Sequence, residues 1–431
     1  MQPPRNPGYD RFKAKLKEEL ADVLETNSRH GLGQVRRDRH AVEAETRELA
    51  QSLLAEWRGG ALQAEEQDRV IREVLDEIVG LGPLDPLLAD PEISEVMVNG
   101  PSRIYIERNG KIEQVTAAFR DNQHLMAIID RILTDTGVAL SEAEPCVDAS
   151  LPDGLRVNII IPPLALNGPT LTIRKKLRPF TQEDWINLEA FNPGVAKFLD
   201  ACVKARVNMV VSGGTSSGKT TLVSILSGFI PREERLITIE NVAELELPEH
   251  DHWVRLVARP PNLEGRGEVS LRALVKNALR MRPDRIILGE ARAGEALDVV
   301  QAMLTGHDGV ITVLHASNCH AALERLETLM LMSGLELSAD VCRRQVASAV
   351  ELVIQLSHFP DGTRRVENIV QVSGTKPDGF ILEELFTFRV RHVTEQGKIE
   401  GALEPTGVLP RFHRKFSTHN IHLPEELFTH A

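Results

Sequence analysis

Val70, Ile71, Val74, Leu75, Ile78 and Val79 recur at helical spacing, and Gly80-Leu81-Gly82-Pro83 supplies a stop signal. The period then shortens. Ile104, Ile106, Ile112 and Val115 fall in two runs of alternating residues on either side of Asn109-Gly110, a dipeptide that favours the tight turn of a hairpin. Leu125, Ile128, Ile129, Ile132 and Leu133 return to helical spacing and end at Gly137. Residues 61–180 are therefore expected to form a small α+β domain. Pro179, Pro193 and the polar stretch between them mark a linker over 181–194. From 195 to 400 the chain alternates apolar strands (207–211, 236–240, 285–288, 310–314, 352–356) with amphipathic helices (219–228, 271–281, 294–304, 321–332, 338–350). That order predicts an α/β domain whose mainly parallel sheet is covered by helices. Residues 1–60 carry the breakers Gly31, Gly33, Gly59 and Gly60 and read as an arm, helical or mobile. Residues 401–431, with Pro405, Gly407 and Pro424, read as an extended C-terminal wrap.

Composition narrows the function. The 431 residues suit two domains with tails. Aromatic residues are 4% of the chain, so aliphatic side chains must fill the core. With 50 Lys and Arg against 62 Asp and Glu, the net charge of −12 argues against a nucleic-acid-coating protein, which needs a broad basic face. No run approaches the ~18 apolar residues of a membrane span, and the N-terminus lacks the apolar core of a signal peptide. A cytoplasmic protein is expected, its membrane contact borrowed from partners. Cys146, Cys202, Cys319 and Cys342 lie far apart without a CxxC pair and are expected to be buried, reduced and unmetallated.

The chemistry begins at Gly213-Gly214-Thr215-Ser216-Ser217-Gly218-Lys219-Thr220, which fits G-x-x-x-x-G-K-[ST] at every fixed position and is followed by Thr221. An apolar strand precedes it and a helical run follows. Glycines let the backbone amides of such a loop turn toward phosphates, and the helix N-terminus adds positive potential. Lys219 is expected at the β- and γ-phosphates of ATP and the Thr220 hydroxyl on Mg²⁺. Two carboxylates end predicted strands, Glu240 and, after Gly289, Glu290. Ligand crevices lie beyond the carboxyl ends of parallel strands, so both are expected to face the nucleotide. One would join the Mg²⁺ shell and the other would orient the attacking water; Glu240 is the first choice for the water and Glu290 for the metal. His307 and His315 flank the strand 310–314, and His315, at its carboxyl end, is the candidate γ-phosphate sensor.

In this order the phosphate loop, an acidic box (Ile239-Glu240-Asn241-Val242-Ala243-Glu244-Leu245), Gly289-Glu290 and the histidine box resemble the ATPases of the type II/type IV secretion superfamily. Further segments resemble the CpaF-like ATPases of tight-adherence (Flp-type) pili: Leu81-Gly82-Pro83-Leu84, Val96-Met97-Val98-Asn99-Gly100, Pro152-Asp153-Gly154-Leu155-Arg156-Val157-Asn158, Gly168-Pro169-Thr170-Leu171-Thr172-Ile173-Arg174-Lys175, Arg259-Pro260-Pro261-Asn262 and Asn277-Ala278-Leu279-Arg280-Met281-Arg282-Pro283-Asp284-Arg285. The resemblance implies a RecA-like motor after a smaller N-terminal domain, a hexameric ring, ATP bound between the domains, and attachment to an inner-membrane pilus platform. It also implies that Arg156 and Arg174 reach the phosphates. Asn241 stands where the acidic box often has Asp, and Ala139 and Ser150 fall where relatives tend to carry arginine. Those departures leave a weakly hydrolysing nucleotide-binding scaffold open beside the motor, and the shared boxes leave open a conjugation or effector-secretion ATPase.

Overall fold

The computed structural model describes residues 9, 11–19, 39–57, 63, 66–71, 74, 80–108, 110–134, 136, 138, 140–151, 154–175, 180–247, 250–259, 261 and 266–429, with backbone alone at 39–46, 56 and 150. Leu75, Ile78, Val79, Asn109, Gly137, Ala139, Pro152, Asp153, Pro179, Pro260, Asn262 and most of the N-terminal arm lie outside the described residues. The chain divides into two units, Met1–Leu177 and Arg178–Ala431.

In the first unit, β1 (Ile93–Asn99), β2 (Ile104–Arg108), β3 (Lys111–Val115), β4 (Cys146–Ser150), β5 (Arg156–Ile160) and β6 (Thr170–Arg174) form one antiparallel sheet in the order β3-β2-β1-β6-β5-β4. Alternation along β1 and β2 puts Ile93, Val96, Val98, Ile104 and Ile106 inside. The helix Asn122–Leu133, capped by the Asp121 side chain, buries Leu125, Ile128, Ile129, Ile132 and Leu133 in the same core. A separate cluster joins Tyr9, Phe12 and Leu16 to Ala50, Leu53, Val70, Ile71 and Val74, so the described parts of the arm are helical and pack on the segment after it.

The second unit holds β7 (Met209–Gly213), β8 (Leu236–Glu240), β9 (Trp253–Val257), β10 (Arg285–Leu288), β11 (Ile311–His315), β12 (Leu352–His358), β13 (Arg364–Lys376), β14 (Gly379–Val393) and β15 (Ile399–Pro405). Their order is β15-β14-β13-β12-β7-β11-β10-β8-β9. From β12 to β9 all neighbours are parallel, and β12 through β15 continue as an antiparallel meander. Two apolar cores cover the faces of this sheet. Strands β7, β8 and β10 are buried throughout, as expected of parallel strands covered on both sides.

Residues 181–194 belong to the second unit rather than to a linker. Thr181 and Asp184 form a reciprocal capping box for the helix Gln182–Asn187, and Trp185 and Phe191 enter the core. Pro193, read as marking the linker, opens the helix Pro193–Lys204, where its missing N–H costs nothing, with Asn192 as cap. The tail also folds back. Phe412, Phe416 and Phe428 pack with Phe198 and Phe386, and Lys415 Nζ donates to Glu351 Oε2 at 2.7 Å and Asp308 Oδ1 at 3.1 Å. Among the described residues no helix is long and apolar enough to cross a membrane.

Cys202, Cys319 and Cys342 are buried as expected, but Cys146 is exposed because it opens β4, the edge strand of the first sheet. Burial pushes the Cys202 thiol up and the Cys319 thiol up to about 12. Thiolate is the reactive form, so a native thiol titration is expected to show one fast group per chain, lost in Cys146→Ser. Three or more fast thiols would contradict the packing.

Candidate functional site

The four elements that sequence reasoning selected converge because the strands bearing them are neighbours. The phosphate loop follows β7, His315 ends β11 in register with Gly213, Glu290 follows β10 after Gly289, and Glu240 ends β8. All four lie at the carboxyl ends of parallel strands, where α/β sheets open their ligand crevices.

The loop itself requires glycine at two points. A side chain at Gly213 would meet Ser217 Oγ at 2.5 Å and the Leu356 carbonyl at 2.6 Å. Gly218 caps the helix Lys219–Gly228 at φ +96°, with the Trp185 indole 3.3 Å from where a β-carbon would stand. Between them Ser217 Oγ donates to Gly214 O at 2.9 Å, while Thr215 and Ser216 are exposed. Ser216 holds φ +57°, and Arg364 Nε donates to its carbonyl at 2.8 Å from the β12–β13 hairpin.

Lys219 is buried and folded back over the loop, donating to Gly213 O at 3.1 Å and Gly214 O at 2.5 Å. Burial pushes its pKa down, opposed by the charges of Glu290 and Glu244. Its Nζ lies 3.4 Å from His315 Nδ1, and His315 Nε2 lies 3.3 Å from Glu290 Oε1. Burial first, then Lys219, lowers the His315 pKa, which keeps the ring neutral at pH 7. A neutral imidazole can accept from Lys219 and donate to Glu290 at once. Glu290 Oε2 accepts from Arg292 at 2.7 Å.

The two glutamates stand in different surroundings. Glu240 is 3% exposed, and its Oε1 accepts from the backbone amides of Glu244 and Leu245, both at 2.9 Å. Burial raises its pKa, and its Oε2 has no hydrogen-bond partner among the described residues. Glu240 thus shapes the acidic box from within. The side chain it delivers to the loop is Glu244, whose Oε2 accepts from Thr220 Oγ1 at 3.1 Å. Glu244 was visible in the acidic box but without a partner, because only the folded turn brings it to Thr220. Asn241 is exposed, on the outside of that turn. His307 precedes β11 and stays at the amino end of the sheet, away from the loop. Arg156 and Arg174 belong to the first unit, where they sit side by side in register on β5 and β6. In backbone register Ser150 on β4 pairs with Arg156, and Glu95 on β1 pairs with Arg174, whose Nη2 lies 3.7 Å from Glu95 Oε2.

The donor set suits ATP with Mg²⁺. The close-packed glycine cradle admits phosphate against bare backbone, and a hydroxyl and a carboxylate at Thr220 and Glu244 are hard oxygen donors of the kind Mg²⁺ takes.

Residues 77–378 match the Type II/IV secretion system protein family. The chain belongs to that family. A putative conjugal transfer protein of Mycobacterium tuberculosis is 35% identical over 307 residues, 69% of this chain and 86% of that protein. The type IV secretion system protein VirB11 of Brucella suis is 35% identical over 315 residues, 66% of this chain and 87% of the relative. Among solved structures, the ATPase DotB of Yersinia pseudotuberculosis aligns with a TM-score of 0.50 at 18% identity, covering 72% of this chain and 80% of DotB, a likeness of fold. The α/β sheet of the second unit accordingly has the RecA-like fold, preceded in the chain by the smaller unit. Trp185, Arg292, Gln355 and Arg364, all close to the loop, escaped sequence reasoning because they lie outside its motifs.

Proposed function

We propose that the chain is an ATP-hydrolysing motor that drives assembly or secretion of a tight-adherence type pilus through an inner-membrane platform. The observation that carries the hydrolytic part is the Lys219–His315–Glu290 chain beside the loop, with Thr220 and Glu244 on its other flank. In this reading ATP is held by loop amides from Gly213 to Thr221, and Lys219 leaves its two carbonyls for the β- and γ-phosphates, neutralising charge that grows as the terminal phosphoryl departs. Glu290, aligned by neutral His315, orients the attacking water and takes its proton. Thr220 and Glu244 would hold Mg²⁺, which supplies further charge neutralisation at the phosphates. Glu240 keeps the acidic box in shape. This assignment moves Glu290 from the metal to the water and Glu240 from the water to a supporting position.

We assign Arg156 and Arg174, side by side in register on β5 and β6, to the γ-phosphate in a hexameric ring, since a guanidinium fork suits phosphate oxygens. The chain would work in the cytoplasm, peripheral to the inner membrane through partner proteins, without nucleic acid. A second reading, the ATPase of a conjugation or type IV secretion channel, is favoured by the names of the two relatives above. Deletion in the native host separates them. The pilus reading expects loss of surface pili, restored by the wild-type chain and not by Lys219→Ala. Normal pili with lost DNA or effector transfer would overturn it in favour of the second.

A further inference from the structure

Gln355 is 2% exposed in the middle of β12, a strand otherwise apolar from Leu352 to Leu356. A buried amide is retained only where its donors and acceptor are met. Its Oε1 accepts from the Ser212 hydroxyl, its partner in register on β7, in a short hydrogen bond. Its Nε2 donates to Ala316 O and to Leu356 O, each at 3.3 Å. Both of those partners are carbonyls, which only accept, so the amide orientation follows from chemistry. Ser212 immediately precedes Gly213, and Ala316 immediately follows His315. Since β7 lies between β12 and β11, the side chain reaches across the root of the phosphate loop to the end of the histidine strand.

We infer that Gln355 is a positioning residue for the motor: it fixes the end of β11 against the root of the phosphate loop and so sets the Lys219–His315 contact. It touches neither nucleotide nor water in this account and acts through His315. A leucine of similar bulk would fill the same space, so what the amide adds is the tie rather than packing. The kinetic consequence rests on the ATPase reading above; the tie itself does not.

Two measurements on the full-length chain test the tie. The double variant Ser212→Ala/Gln355→Leu replaces both polar partners at once, leaving no orphaned hydroxyl, and is expected to melt within a few degrees of wild type. Without nucleotide, its backbone amides over 314–318 are expected to exchange with solvent about tenfold faster, as the strand end opens locally. Unchanged exchange there overturns the inference. In turnover, kcat is expected to fall about tenfold with nucleotide affinity within about twofold, since small misplacement near the chemistry is costly. On a His315→Ala background the same two substitutions are expected to change kcat less than about twofold. A full tenfold loss on that background, or none on the wild-type background, overturns it. Should the double variant fail to fold, Gln355→Asn keeps an amide too short to span the gap and is judged by the same criteria. Wild-type protein without turnover would end the ATPase reading and leave amide exchange to decide the tie.

Discussion

Lys219→Ala is expected to cut ATP turnover by about a hundredfold to a thousandfold, the cost of removing one preorganised charge from a phosphoryl-transfer site. The folded chain is expected to survive the change. Among the described residues Lys219 hydrogen-bonds the carbonyls of Gly213 and Gly214 and lies against the His315 ring, and burial already disfavours its charge. Removing a cation that the interior holds at a cost leaves few unmet partners. Melting temperature close to wild type, with phosphate release near background, is the expected pair of readings. Turnover at the wild-type rate would assign the activity to something other than this loop.

The second large effect separates the two strand-end glutamates. Glu290→Gln keeps the shape of the side chain and removes its basicity, so kcat is expected to fall by about a hundredfold to ten-thousandfold while ATP still binds. Glu240→Gln is expected to be mild. The glutamine oxygen still accepts from the Glu244 and Leu245 amides, and a carboxyl whose pKa burial has raised gives up little by becoming neutral. Single-turnover hydrolysis with both variants checks the contrast. If Glu240→Gln abolishes hydrolysis and Glu290→Gln leaves it intact, the assignment is reversed and the buried glutamate is the base.

Much of this site was legible in the chain because its signals are local. A phosphate loop needs its glycines at fixed offsets, and Gly213 and Gly218 prove to stand where a β-carbon would strike Leu356 or Trp185. Parallel strands buried on both faces are continuous apolar runs, so 236–240 and 285–288 were placed to the residue. What the chain concealed depends on packing between distant segments. The antiparallel meander β13 to β15 mixes arginines and glutamates with apolar residues and gives no clean period. Trp185 and Phe191 sit among polar residues, so their burial shows only when the core of the second unit receives them. Gln355 looks like one polar residue in an apolar strand until Ser212 and Ala316 arrive from two other strands. Glu244 is one of several acidic residues until the amides around Glu240 fold its turn onto Thr220.

We propose that this constellation hydrolyses ATP rather than merely holding it. Phosphate release by the purified protein, followed with and without Mg²⁺ and beside Glu290→Gln, decides between the two. The wild type is expected to release phosphate steadily with Mg²⁺, and Glu290→Gln to bind nucleotide tightly with release near background. Nucleotide binding without Mg²⁺-dependent release by the wild type would contradict it and leave a nucleotide-binding scaffold in place of a motor.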